Sequence, residues 1–141
     1  MATLKISELS VGDWVMVEWP DGERWRGRLT RLSVTGGVEV RCANGKHVRC
    51  SSDFISFIPI TAEILEKNGL FRHERDADNP ELIVLSNHFI MARTYTDVDW
   101  CRVLIYDEEL PSKELFNGII YSVHQLQHAL RLAGVDKEIN L

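Results

Sequence analysis

Two histidines lie four residues apart in the segment VHQLQHALRLAG, at His124 and His128. On a helix this spacing puts both imidazoles on one face, an arrangement that can bind a metal ion. A metalloprotease helix would have a glutamate directly after the first histidine, and this chain has Gln125 there. Because no third ligand is identifiable, the sequence predicts a surface or half-buried histidine pair and no metal site.

The other residue types that carry catalysis form no familiar arrangement. Serine, histidine and aspartate are present without a GxSxG turn, a Walker phosphate loop or a GxGxxG loop. The carboxylate run Asp107-Glu108-Glu109 is more typical of a solvated loop than of an acid/base pair. We therefore expect a protein that is not an enzyme, with no catalytic residues and no cofactor.

Arginines occupy every second position of the segment ERWRGRLTRL, at Arg24, Arg26 and Arg28. In a strand they would share one face with Thr30, and the opposite face would carry Trp25, Gly27, Leu29 and Arg31. With three more arginines they can form a positive surface for RNA or DNA: Arg31, Arg41 and Arg49. The alternative is a solvated face of cross-strand pairs with the interspersed glutamates, Glu18, Glu23 and Glu39.

The chain has three cysteines, Cys42, Cys50 and Cys101, and none belongs to a CxxC pair. They predict neither a disulfide framework nor a zinc site, although Cys42 and Cys50 can be bridged if their strands pair. The N-terminal stretch MATLKISELSVGDW has no signal-peptide pattern, and no window of about 18 apolar residues occurs. We expect a cytoplasmic protein with no membrane partner.

Composition is that of a globular protein, with 45% hydrophobic and 26% charged residues. The net charge of −5 is unevenly distributed. Residues 1–60 have eight Lys/Arg and seven Asp/Glu, whereas residues 61–141 have eight and fourteen. Overall acidity argues against strong nonspecific binding of nucleic acid, but it leaves room for a local basic patch.

Short strands separated by turns fill the first half of the chain. WVMVEW alternates its side chains between two faces and is followed by the turn Pro20-Asp21-Gly22. Asn44-Gly45 predicts a type I′ hairpin between strands at about 38–42 and 46–50, and FISFIPI predicts a last strand ending at Pro59. Five short strands without a helix predict an SH3-like barrel over residues 1–59.

The segment VGDWVMVEWPDGERWRGRLTRL, with GGVEV and HVRCSSDF after it, resembles the SH3-like barrels of the Tudor and KOW type over residues 10–59. Tudor domains that recognise methylated lysine or arginine use an aromatic cage, and the matching motif puts Trp19 and Trp25 at two cage positions. Cys42 and Ala43-Asn44 stand where further rings would be expected. The resemblance thus implies the framework with an incomplete cage, and packing of both tryptophans on the barrel is the alternative.

The second half predicts an α+β domain over residues 60–141. A short helix begins at Thr61 and stops at Gly69, followed by an edge strand LFRHER and a polar loop, DADNPE. Three apolar segments, LIVLS, HFIMARTY and CRVLIYD, predict an antiparallel meander. A C-terminal helix at 122–133 starts with a capping box of Ser122 and Gln125 and packs on the sheet through Val123, Leu126, Leu130 and Ala133.

The segment IPITAEILEKNG and the ending YSVHQLQHALRLAGVDKEINL resemble a family of uncharacterised proteins from gut bacteria and their mobile elements. The resemblance covers residues 58–141. It implies a fold and a prophage or mobile-element context, without an activity.

Three functions follow in descending order. The first is a binding or assembly module with a protein partner. The second is a nucleic-acid-associated protein that uses the arginine-rich strand, and the third is an enzyme of unrecognised type. The candidate ligand surface in the first two consists of Trp19, Trp25, Arg24, Arg26 and Arg28.

Overall fold

The computed structural model describes residues 6–33, 35–70, 83–85, 87–94, 100–110 and 113–141. This part of the chain is mainly β, with two antiparallel sheets and two α-helices, as the sequence predicts. The chain divides into two compact units, Met1–Ile58 and Pro59–Leu141. No helix within the described ranges has the length and apolar character needed to cross a membrane.

Five strands build the first unit: β1 (Trp14–Glu18), β2 (Arg24–Leu32), β3 (Gly37–Cys42), β4 (His47–Ser51) and β5 (Ile55–Ser56). They are antiparallel in the order β4-β3-β2-β1-β5. These pairings establish a five-stranded sheet and do not by themselves establish a closed barrel. The last strand, β5, ends at Ser56 and is therefore shorter than predicted. Pro59, where the strand was expected to end, instead forms a bridge with Ser122 within the second unit.

The hairpin between β3 and β4 has a different turn from the predicted type I′. Gly45 has a positive φ of 86°, but Asn44 does not, and the loop closes with Cys42 N–H donating to Lys46 O at 2.7 Å. The Asn44 side chain accepts from the Lys46 N–H at 3.0 Å, so a side-chain hydrogen bond stabilises this turn. The hairpin itself forms as predicted.

The core of the first unit lies on one face of its sheet. Its buried side chains are Leu9, Val15, Val17, Leu29, Val38, Val40, Cys42 and Ile55. Half-buried residues pack against them: Trp19, Trp25, Leu32, Val48 and Cys50. The alternation of buried and exposed residues along β1 and β3 follows from the pleat of the strand.

A register shift interrupts β2 between Leu29 and Arg31. Leu29 lies opposite Val40 in the core, whereas Arg31 lies opposite Glu39 and is exposed. The extra residue, Thr30, changes the alternation beyond it, as a bulge does. The prediction that Arg31 shares the face of Leu29 is therefore wrong.

Asp13 ties the segment before β1 to β2. Its side chain is fully buried, and its Oδ2 accepts from the Ser10 N–H at 2.7 Å. Its backbone carbonyl accepts from the Leu29 N–H at 2.9 Å. The Gly-Asp pair that precedes the first strand thus has a structural role at this position.

The second unit contains α1 (Ala62–Lys67), β6 (Ile83–Leu85), β7 (His88–Thr94), β8 (Cys101–Asp107), β9 (Glu114–Ile120) and α2 (Val123–Leu132). Strands β6 to β9 form the predicted antiparallel meander with one further strand, β9. Residues 71–75 of the predicted edge strand and the loop at 76–81 lie outside the described residues. The predicted connection at 96–99 does so too.

The two helices begin in different ways. The Thr61 side chain accepts from the Ile64 N–H at 3.2 Å and Gly69 follows with φ 70°, so the predicted limits of α1 are confirmed. At α2, Ser122 makes no side-chain cap bond, and Gln125 Oε1 accepts from the Tyr121 N–H at 2.8 Å. The predicted capping box is therefore wrong. The predicted apolar stripe of α2 is buried, and the helix contacts β9.

Two side-chain amides hold the C-terminal segment of the second unit. Asn68 donates to the carbonyl of Asn140 and accepts from its N–H, both at 2.8 Å. Gln127 donates to Lys137 O and accepts from the Ile139 N–H, also at 2.8 Å. Because Asn68 and Gln127 are buried, these bonds replace water for an extended backbone segment.

Gly27 is required by the close approach of β2 and β3, and Gly27→Ala tests this. A Cβ there would lie 2.5 Å from Val40 Cγ1 and 2.8 Å from Arg41 O. We expect a loss of about 1–3 kcal/mol in the free energy of unfolding, measured by urea denaturation. Gly37→Ala is the matched control, since its nearest new contact is at 3.9 Å. Equal effects of the two changes would contradict the packing argument.

The clamp on the C-terminal segment can be tested with Asn68→Ala. The change leaves the Asn140 N–H and carbonyl without their partner, so the free energy of unfolding should fall by about 1–3 kcal/mol. Exposed Lys67→Ala, one residue earlier, is the control and should change it by less than about 0.5 kcal/mol. A negligible effect of Asn68→Ala would show that the bonds from Asn68 are not needed to hold the segment.

Candidate functional site

The outward face of the first sheet concentrates arginine side chains. Gly27 and Leu29 of β2 are buried, so alternation turns their neighbours Arg24, Arg26 and Arg28 outward. Arg41 lies directly opposite Arg28, and Arg49 and Arg31 lie on either side of Glu39. We call this surface the arginine face, consisting of Arg24, Arg26, Arg28, Arg31, Arg41 and Arg49.

Two carboxylates on this face are held by ion pairs. Arg24 Nε lies 3.5 Å from Glu18 Oε1, across the β1–β2 pair. Arg49 donates to Glu39 Oε1 from Nε at 2.9 Å and from a terminal nitrogen at 2.6 Å. The hydrogen bonds from Arg49, with the nearby charges of Arg49 and Arg31, hold the pKa of Glu39 below its ordinary value. The predicted cross-strand pairing of arginines with glutamates is thus present at Arg24 and Arg49.

Positive charge remains in excess on the arginine face. Arg26 and Arg41 are exposed, and no carboxylate among the described residues lies within ion-pair distance of either. Arg28 and Arg41 are direct cross-strand neighbours, an arrangement in which like charges repel. Six guanidinium groups share the face with two carboxylates. An anionic ligand would relieve this repulsion.

Trp14 adds an aromatic ring to the arginine face. It lies directly opposite Arg28 on β1, and the Arg28 Cζ is 4.6 Å from its ring centroid. Unlike Trp19 and Trp25, it does not belong to the core or to the residues packed against it. Sequence reasoning missed Trp14, although the register of the first hairpin carries the signal: pairing Val17 with Trp25 puts Trp14 opposite Arg28.

Trp19 and Trp25 lie on the other side of the sheet, beside the core. Their ring centroids are 5.4 Å apart in an edge-to-face arrangement, and Phe54 lies 6.1 Å from Trp19. We call these three residues the ring group. The cage motif would have a third ring near Cys42, and the sequence has none there. In the structure the third ring is Phe54, which comes from the short turn at Ser52–Phe54.

The ring group already has a cation beside it. Lys46 Nζ lies 5.1 Å from the Trp25 ring centroid, within the range of a cation–π contact. Trp19 Nε1 is shielded from solvent and has no hydrogen-bond partner in the described structure. Both tryptophans are half-buried and pack against the core, so they stabilise the sheet whatever else they bind.

Of the two histidines of α2, predicted to be on the surface or half-buried, His124 is more buried than predicted and His128 is half-buried as predicted. His124 is 3% exposed and its Nδ1 lies 3.0 Å from Ser122 Oγ, while His128 lies edge-on to it with ring centroids 5.8 Å apart. Within the described residues, no cluster of three or more His, Cys, Asp or Glu side chains could hold a metal ion. Ser122 is itself 1% exposed, so the pair is part of the packing of α2.

The remaining candidates have ordinary surroundings. Asp107 Oδ1 accepts from the Glu109 N–H at 2.8 Å, which makes the carboxylate run a turn after β8. An open depression of about 420 Å³ on the second sheet is lined by Trp100, Arg102, Asn117, Gly118 and Ile119. Arg102 donates to Asn117 Oδ1 there at 3.2 and 3.3 Å. Neither arrangement brings catalytic groups together.

The three cysteines are free thiols. In the β3–β4 register Cys50 lies opposite Val38 and not opposite Cys42, so the two cysteines are not cross-strand partners. Burial raises the pKa of Cys42 and Cys50, and it raises that of Cys101 to about 12. Since the thiolate is the reactive and metal-binding form, these positions do not favour either chemistry.

Comparisons of the chain with protein-family models, with curated proteins and with solved structures gave no match. The arginine face and the ring group are therefore the features from which a function can be argued.

Proposed function

We propose that the protein is a non-enzymatic binding module whose arginine face binds nucleic acid. The observation that carries the proposal is the direct opposition of Arg28 and Arg41 on a face with six guanidinium groups and two carboxylates. Guanidinium groups are well suited to phosphate, because their fork of N–H donors matches two phosphate oxygens. A protein with an acidic surface is the alternative partner.

The proposed framework for this surface is an SH3-like barrel of the Tudor or KOW kind. The strand order β4-β3-β2-β1-β5 and the pairing of β5 with β1 support it. The resemblance of residues 58–141 to proteins of gut bacteria and their mobile elements supports a phage- or mobile-element-encoded protein, and the three free cysteines suit a reducing cytoplasm. In such a setting nucleic acid is an abundant partner.

The overall charge of −5 does not oppose this function at short range. At physiological ionic strength the Debye length is about 8 Å, so a phosphate on the arginine face is influenced mainly by the arginines around it. Directly opposite and diagonal residues of paired strands lie about 5–8 Å apart. The acidic groups elsewhere repel phosphates and so limit binding to this surface, while the contacts of arginines with phosphates make that binding dependent on salt.

The double change Arg26→Gln and Arg41→Gln tests the proposed function. Both side chains are exposed, so the fold should be retained. For a single-stranded oligonucleotide, the slope of log affinity against log salt should become shallower by about 1.4, and affinity should fall several-fold at low salt. Fluorescence anisotropy over a range of salt concentrations measures both.

The matched control is Arg131→Gln, which removes a partly exposed charge from the second unit. It should leave affinity and slope unchanged. Absence of binding to RNA and DNA by the native protein at about 50 mM salt would exclude the proposal. If the double change instead abolishes capture of an acidic protein from cells, the face serves the alternative partner.

A second candidate function is recognition of a cationic side chain by the ring group. The specific observation is the third ring, Phe54, together with the Lys46 ammonium beside Trp25. A ligand ammonium on this ring face would have to displace Lys46. Methylated lysine suits such a site, because methylation lowers the cost of removing the cation from water.

Lys46→Gln tests this second function without disturbing the core. Removing the competing cation should strengthen binding of a trimethyl-lysine peptide by about 2- to 5-fold, as expected for a cation–π contact of 0.5–1 kcal/mol. Isothermal titration with the trimethylated and unmodified forms of one peptide measures the preference. Equal binding of the two forms by both proteins would leave the ring group with a packing role only.

A further inference from the structure

We propose that the arginine face binds single-stranded nucleic acid in preference to a duplex, with bases stacked on the Trp14–Arg28 pair. This inference rests on the proposed function and adds the class of ligand. It depends on Trp14, whose contribution differs from that of the arginines because a ring interacts with bases and not with phosphates.

The outward face has two parallel rows of different chemistry. Along β1 the outward residues are Trp14, Met16 and Glu18, and directly opposite them on β2 are Arg28, Arg26 and Arg24. Paired strands lie about 4.8 Å apart, so Trp14, at one end of the β1 row, is adjacent to the arginine row of β2. A strand of nucleic acid lying along β2 would put its phosphates on the arginines and its bases over Trp14.

The position of Trp14 supports a ligand-facing role. Trp19 and Trp25 pack against the core, whereas Trp14 is outside the core cluster and lies with a guanidinium 4.6 Å from its ring centroid. It is half-buried, so part of its surface is open to solvent. Tryptophan rings and the planes of arginine side chains are both surfaces on which unpaired bases stack.

The geometry disfavours a duplex at the same site. In a duplex the bases are stacked on one another and present only their edges in the grooves, so a ring on a sheet face can reach phosphates and sugars but no base plane. The arginine row would still attract both forms of nucleic acid. Stacking on Trp14 is therefore the contribution that separates single strands from duplexes.

The spacing of the arginines also suits an extended strand. Alternate residues of a β-strand are about 6.7 Å apart, so Arg24, Arg26 and Arg28 cover about 13 Å along β2. Such a row can contact two or three successive phosphates of an extended chain. Arg41, opposite Arg28, adds charge at the end of the row where Trp14 lies.

The deciding experiment compares three probes on the native protein at one low salt concentration. They are a thymidine oligonucleotide, an abasic strand of equal length with the same phosphates, and a duplex of that length. Affinity for the thymidine strand should exceed affinity for the other two by about fivefold or more, the effect of stacking at least one base. Tryptophan fluorescence should be quenched by the thymidine strand and not by the abasic one.

Single substitutions show which residue produces the preference for the thymidine strand. Trp14→Leu should lower affinity for the thymidine strand to that for the abasic strand and leave duplex binding unchanged, with circular dichroism as the check on folding. Arg28→Lys keeps the charge but removes the planar group, so it should reduce the preference for bases and retain the salt dependence. Arg26→Gln should weaken all three probes together.

Equal affinity of the native protein for thymidine and abasic strands would overturn the stacking inference while leaving phosphate binding by the arginine face intact. Binding of none of the three probes would overturn the proposed function itself. The abasic comparison uses the native protein, so it decides the inference even if Trp14→Leu does not fold.

Discussion

The alternation of side chains along β2 is the constraint on which the first unit depends. β2 has a neighbour on each side, so Gly27 and Leu29 on one face must complete the core, and the side chains between them must face outward. Gly27 shows how strict this is, because β3 approaches it too closely for any side chain. With the core face fixed in this way, Arg24, Arg26 and Arg28 are brought into one row.

The electrostatic repulsion within the arginine face connects this surface to a binding function. Arg24 and Arg49 have glutamate partners on the outward face, whereas the like charges of Arg28 and Arg41, directly opposite each other on β2 and β3, repel one another. Solvent screens this repulsion, and the apolar core behind it supplies the stability of the sheet. An exposed surface of like charge is consistent with a surface that binds anions, since a sheet selected for stability alone would be expected to alternate charge across its strands.

Sequence reasoning predicted most of the first sheet because its signals are local: alternation, glycine turns and the Asn44-Gly45 hairpin. It failed where the position of a residue depends on how the strands pair with one another. The bulge at Thr30 moved Arg31 to the outward face, and no local pattern reports a bulge. Phe54 joins the tryptophans through a turn about thirty residues away in the chain. In the second unit the predicted meander lacks β9, a strand that contains Asn117-Gly118, a dipeptide typical of turns, although both residues pair with β8.

The same reasoning explains why the sequence selected two tryptophans and overlooked a third. Trp19 and Trp25 were chosen by their match to a cage motif, but strand alternation puts both on the side of the core. Trp14 has the opposite alternation on β1 and therefore shares a face with the arginines. Which side of the sheet a ring occupies, and not its distance along the chain from the arginines, determines whether it can act with them. The ring group and the arginine face consequently lie on opposite sides of β2, where neither ligand would occupy the surface of the other.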